Sequence, residues 1–193
     1  TQIRYAPLTD SSVYQKGNSA VAANREIDLQ SPMIVVKAVD ASNGNDGVFS
    51  TAYFYEGLLG RTDGRGTQGF TRVRQRDSSG IVSESETLRV SAALYATDWP
   101  LAGRPAVARK YAPTTAGYLA DPANDPASDP QLRLVNRVTT NWSVRPSSTC
   151  GGAPCPSGLN LPTPIPLTIR EAFSTGSTQE SWELDGTALP VTT

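Results

Sequence analysis

The sequence predicts an all-β chain. Antiparallel hairpins form part of a large wound sheet, with long loops and little or no helix. Three observations predict it. Thr, Val, Ser and Tyr recur along the chain, the residues that favour a pleated backbone. Sixteen Gly and 15 Pro interrupt almost every segment, leaving little room for helices. Where side chains show a period, it is two, as around residues 70–76 and 87–91. At 193 residues and 38% hydrophobic, the chain is long enough for a real core, in one domain or two small ones.

Residues 1–10, TQIRYAPLTD, read as a strand running into a turn. They lack an initiator Met, a basic segment and an apolar segment, so the chain reads as cut from something longer. Residues 33–39 are apolar and β-branched, suiting a strand buried on both faces. Residues 40–47, DASNGNDG, form the turn of a hairpin whose return strand is 48–55. In residues 70–76, Arg72, Arg74 and Arg76 share one strand face. A turn at 77–80 leads into the next strand from residue 81. With Gly80 left-handed in a three-residue loop, Arg74 faces Glu84 and Arg72 faces Glu86. The basic patch then becomes a ladder of cross-strand ion pairs and no nucleic-acid surface.

Residues 81–99 are the longest stretch free of Gly and Pro, and the alternation within them favours strand over helix. Residues 112–131 contain three Asp-Pro steps and read as a surface insertion or flexible loop. Strand character resumes at 132–144. Residues 159–167 read as extended and proline-punctuated. Segments 169–173 and 181–184, with Asp185-Gly186 as turn, suggest a last hairpin. The chain thus divides into a β-hairpin region (1–111), an Asp/Pro-rich loop (112–131) and a second β region (132–193).

Composition narrows the chemistry. A net charge of −1 and a pI near 5.5 give no general attraction to nucleic acid or anionic membrane. No apolar run is long enough to span a bilayer. Without histidine, the chain lacks the commonest general base and cannot build a Ser-His-Asp triad. Two cysteines cannot complete a structural zinc site. Cys150 and Cys155 suit a small disulfide-closed loop that pins a local turn, and two free thiols are the alternative. A disulfide would place the chain in an oxidising compartment.

Residues 60–70, GRTDGRGTQGF, spell the G-x-G-x-x-G of a dinucleotide loop through Gly64, Gly66 and Gly69. That reading needs a helix opening within the motif, whereas an alternating strand follows it. Glu84 and Glu86 share a strand face and could be cast as the carboxylates of a glycosidase, but surface strands carry such pairs routinely. Asp40, Asn43, Asn45 and Asp46 offer hard oxygens for calcium but lack the bidentate glutamate of an EF-hand loop, which favours a plain turn. Asn141-Trp142-Ser143 fits the glycosylation pattern but falls in a predicted strand. Tyr53, Tyr55, Phe70, Trp99, Trp142 and Trp182 read as core or lining residues. The expectation is no catalysis, no cofactor and no metal.

Residues 53–77 resemble a recurring segment of large bacterial RHS (YD-repeat) proteins, above all the SpvB-like proteins and Tc-toxin B components. A tyrosine-rich strand (Tyr53, Tyr55, Gly57) leads into G-R-G-x-x-G-F, ending at Gly69 and Phe70. An alternating strand follows and ends in Asp77. Residues 3–14, 33–44, 98–105, 138–144 and 182–186 are similar to further parts of that pattern. Gln68 departs from it, standing where an apolar residue is expected, and the Asp-Pro stretch and Cys150–Cys155 loop look like insertions. The resemblance implies a non-catalytic segment joining a β-propeller to a hollow shell that encloses and delivers a toxic cargo. Its partners would be the remainder of the same polypeptide, other toxin-complex subunits or identical subunits. Its place would be secreted or at the bacterial surface. An independent extracellular β module, adhesive or filament-forming, is the alternative.

Overall fold

The structure, a computed structural model, describes residues 1–17, 26–61, 66–89, 99–146, 149–150, 153–154 and 170–193. Ten strands form one sheet that does not close, and the only helix among the described residues is a 3-10 turn at Trp99–Leu101. The strands are β1 (Gln2–Pro7), β2 (Tyr14–Gln15), β3 (Glu26–Asp28), β4 (Ile34–Ser42), β5 (Val48–Arg61) and β6 (Thr67–Arg76). They continue with β7 (Val82–Thr87), β8 (Pro105–Pro113), β9 (Leu132–Pro146) and, after a separate two-stranded ribbon of β10 (Thr149–Cys150) and β11 (Ala153–Pro154), β12 (Arg170–Ser181). The order across the sheet is β1-β4-β5-β6-β7-β8-β9-β12, each pair antiparallel.

β5 organises the first half. One edge pairs with β6, and the other takes β4, then β2, then β3. Only β2 runs parallel to it. The turn between β4 and β5 is closed by Asn43, whose N–H donates to the Gly47 carbonyl while its Oδ1 accepts from the N–H groups of Asn45 and Gly47. The pairing extends to Ser42 and Val48, so Asp40, Ala41 and Ser42 belong to the strand and not to the turn.

Two apolar clusters hold the sheet. Ala6, Leu8, Val13, Tyr14 and Leu58 form one, with Phe70 and Tyr55 packed against it at ring centroids 4.9 Å apart. Val82, Tyr111, Ala120 and Leu132 form the other.

Four expectations need revision. The segment at 33–39 is a strand but is not buried on both faces: only Ala38 is buried, and Met33 and Ile34 are exposed. β8 went unpredicted because residues 105–113 are alanine-rich and bounded by prolines; only Val107, Arg109 and Tyr111 alternate onto one face. The pieces at 169–173 and 181–184 fall in and just after one strand, β12, which pairs along β9 with a single bulge, while residues 188–192 form the return. β7 ends at Thr87, Leu88 exchanges hydrogen bonds with Gly103 and Arg104, and residues 90–98 lie outside the described set.

Residues 112–131 are built, not loose. Each Asp-Pro step starts a turn: Asp121, Asp125 and Asp129 accept from the N–H two residues on, and their carbonyls accept from the N–H three residues on. Proline fixes φ for the second turn position and aspartate caps the first. The resulting strap lies on the sheet, burying Ala120, Pro122 and Pro126.

Candidate functional site

Beneath that strap the sheet carries its densest charge. The register sets Phe54, Arg74, Glu84, Arg109, Arg137 and Glu180 as successive Cα partners across six strands. One step along, Glu56, Arg72 and Glu86 form a second row. Period-two alternation puts both rows on the face that also holds Val82 and Tyr111.

Cross-strand pairing is as described for Arg74–Glu84, but the side chains make a network and not a simple ladder. Glu84 Oε2 accepts from Arg74 Nε at 2.9 Å, and its Oε1 accepts from an Arg109 Nη at 2.9 Å. Arg72 stands opposite Glu86 in register yet turns to Glu56 and Glu84, each at 3.5 Å. Glu86 is held instead by Arg109 at 2.8 Å. Arg74 also donates to Glu56 at 3.0 Å and to the strap carbonyls of Ala123 and Pro122 at 3.3 and 3.5 Å. At the far end Arg137 donates to Glu180 at 2.6 Å.

Arg74 and Glu84 are 3% and 4% exposed, so their desolvation must be offset by complete pairing. Three arginines face three glutamates in the central group, which is charge-balanced. Burial opposes the charge of Arg109, but its hydrogen bonds to Glu86 and Glu84 prevail and raise its pKa. The hydrogen bond from Arg137 lowers the pKa of Glu180. Each carboxylate proposed for glycosidase work already accepts from a guanidinium. Sequence reasoning missed Glu56, Arg109, Arg137 and Glu180; the inward alternation of Val107, Arg109 and Tyr111 was the available signal.

The glycine motif divides. Gly64 lies outside the described residues. Gly66 and Gly69 have φ of +81° and +83° with no atom within 4 Å of a built Cβ, so backbone conformation, not crowding, calls for glycine there. Gln68 is the extra residue of a β-bulge, and it is buried. Its carbonyl lies 2.8 Å from where Gly103 would carry a Cβ, so the close backbone approach falls on Gly103. Phe70 begins the regular pairing with Leu58.

The other candidates resolve quietly. Asp40 accepts from Ser50 Oγ at 2.6 Å and pairs with Arg4 at 3.1 Å, while Asn43 closes its own turn, and no metal-holding cluster occurs among the described residues. Cys150 lies in β10, Cys155 lies outside the described residues, and the disulfide expectation falls there with it. Trp142 donates to the Pro105 carbonyl, and Arg104 lies 5.4 Å from its ring centroid. The class that fold and site define is an all-β protein built on one open, mainly antiparallel ten-stranded sheet pinned by a buried ion network. Comparison with protein-family models, with curated proteins and with solved structures returned no match.

Proposed function

We propose that the chain is a non-catalytic structural β segment of a bacterial SpvB/RHS-type protein, helping to form the shell that encloses and delivers a toxic cargo. The observation that carries this reading is the open ten-stranded sheet. Strands β4 to β7 follow one another by short connections, as a spiral sheet requires, and the sheet does not close on itself. The exposed Ile3, Tyr5, Ile34 and Phe49 on the first strands add support, since apolar sheet surface suits burial against further chain. The sequence around Gly57, Gly66, Gly69 and Phe70 supplies the family likeness. Secretion and toxin partners follow from that likeness alone.

The second reading, an independent extracellular β module, is favoured by the charge-balanced central ion network and the second apolar cluster, both built from residues of this chain. One experiment separates the two. Sequencing the flanking gene should find FG-GAP repeats upstream and YD repeats downstream, and their absence would sink the shell reading. If the isolated 193-residue chain also unfolds cooperatively as a monomer, the independent module stands instead.

A further inference from the structure

Asn43-Gly44 is the one Asn-Gly pair in the sequence, and it sits at the tip of the hairpin between β4 and β5. In such a pair no Cβ flanks the second nitrogen, so it is free to approach the side-chain amide of the asparagine. Gly44 has a φ of +83° with no atom within 4 Å of a built Cβ, and both residues are exposed.

The turn also arranges chemistry around the pair. Asn43 Oδ1 accepts from the N–H of Asn45 at 2.8 Å and from the N–H of Gly47 at 2.9 Å. Two main-chain donors on one carbonyl oxygen make an oxyanion hole, which leaves Cγ more electrophilic. The Gly44 N–H donates to Ser42 Oγ at 3.2 Å, a hydroxyl placed to take up its proton. The Asn43 N–H bond to the Gly47 carbonyl at 3.0 Å and the pairing of Ser42 with Val48 close the turn on both sides. Nucleophile, electrophile and donors are thus held together before any reaction begins.

We infer that this hairpin is a self-modification site, whose turn deamidates its own Asn43. The Gly44 nitrogen attacks Asn43 Cγ, and the bond from Cγ to Nδ2 breaks. The Gly44 proton passes through Ser42 Oγ and solvent to the departing nitrogen, which leaves as ammonia. Water then opens the resulting cyclic imide at one of its two carbonyls, giving aspartate or iso-aspartate. Nothing is oxidised or reduced, and water is the only co-reactant. Aspartate at this position keeps both acceptor bonds and strengthens them with its charge. Iso-aspartate lengthens the main chain by a methylene and disturbs the Ser42–Val48 register.

Peptide mapping by mass spectrometry tests it on the full chain aged in mildly alkaline buffer. Asn43 should be the first to show the mass gain of an amide-to-acid exchange, ahead of Asn45 and Asn124, which are also exposed. The folded chain should convert about tenfold faster than the same chain unfolded in guanidinium chloride. That is less than the roughly hundredfold one such donor contributes in a dry enzyme site, because this turn is open to water. Ser42→Ala should slow conversion severalfold in the folded chain only, with the backbone amide spectrum reporting that the hairpin is formed. A folded rate equal to or below the unfolded one would overturn the proposal, as would Ser42→Ala slowing both states or neither. Modification at Asn45 or Asn124 ahead of Asn43 would overturn the site.

Discussion

Glu84 shows how one side chain depends on its neighbours. Removing its charge leaves the buried Nε of Arg74 without its carboxylate and takes one of two carboxylates from Arg109, so Glu84→Gln should cost about 3 kcal/mol in urea unfolding. Arg74→Met combined with Glu84→Leu should cost less than either single change, because Arg109 keeps Glu86 and Arg72 keeps Glu56. A double variant weaker than both singles would refute that account. Gly80 makes the opposite kind of demand. Its φ is +85°, and a Cβ there would lie 2.2 Å from the Tyr118 carbonyl in the strap. Gly80→Ala should therefore destabilise by at least about 2 kcal/mol in the same measurement, since left-handed strain adds to a clash with backbone. The left-handed glycine was legible from the turn sequence. The carbonyl that crowds it was not, because it arrives from a segment 38 residues away.

The strap makes its own predictions at the level of an element. Each Asp-Pro turn rests on its own aspartate, so Asp121→Ala and Asp125→Ala should each cost about 1 kcal/mol and add nearly independently. Asp129→Ala should cost more, because Asp129 Oδ2 also accepts from the Tyr118 hydroxyl at 2.6 Å. Equal effects at Asp125 and Asp129 would argue against that tie. Prolines and aspartates were read from sequence as loop formers, which is correct locally. That the turns pack down onto Tyr111 and Val82 was illegible, since no local pattern reveals which sheet face a loop will cover. β8 was missed for a related reason: alanines and flanking prolines mask a strand whose pairing on both sides is what holds it extended.

For the whole molecule, the carboxylate shifts give pH dependence a sign. Glu180 is held below its ordinary value of 4.5 by Arg137, and Asp10, Asp40 and Asp185 below 3.8, chiefly by Ser12, Ser50 and Thr187 respectively. Groups with depressed folded pKa values contribute stability above their unfolded values and lose it as pH falls through the folded ones. The melting temperature should therefore begin to drop as pH falls below 4.5, and Arg137→Met should flatten the part due to Glu180. On the alkaline side, burial raises Tyr14, Tyr55 and Tyr111 above 10.0, and the hydrogen bond to Asp129 raises Tyr118. Stability held by these neutral phenols should fade above pH 10, and a flat alkaline profile would count against it. By itself, the sequence determined the all-β class, the main hairpin turns and the registration of Arg72 and Arg74 against Glu86 and Glu84. Turn chemistry and period-two alternation act between near neighbours, where sequence is explicit. Only the tertiary structure decided that Arg72 leaves Glu86 to Arg109, that the Asp-Pro strap roofs the network, and that Arg76 is tied to the strap carbonyl of Ala120. Those outcomes depend on which distant strands and loops come together, and contacts over such separations leave no local signature.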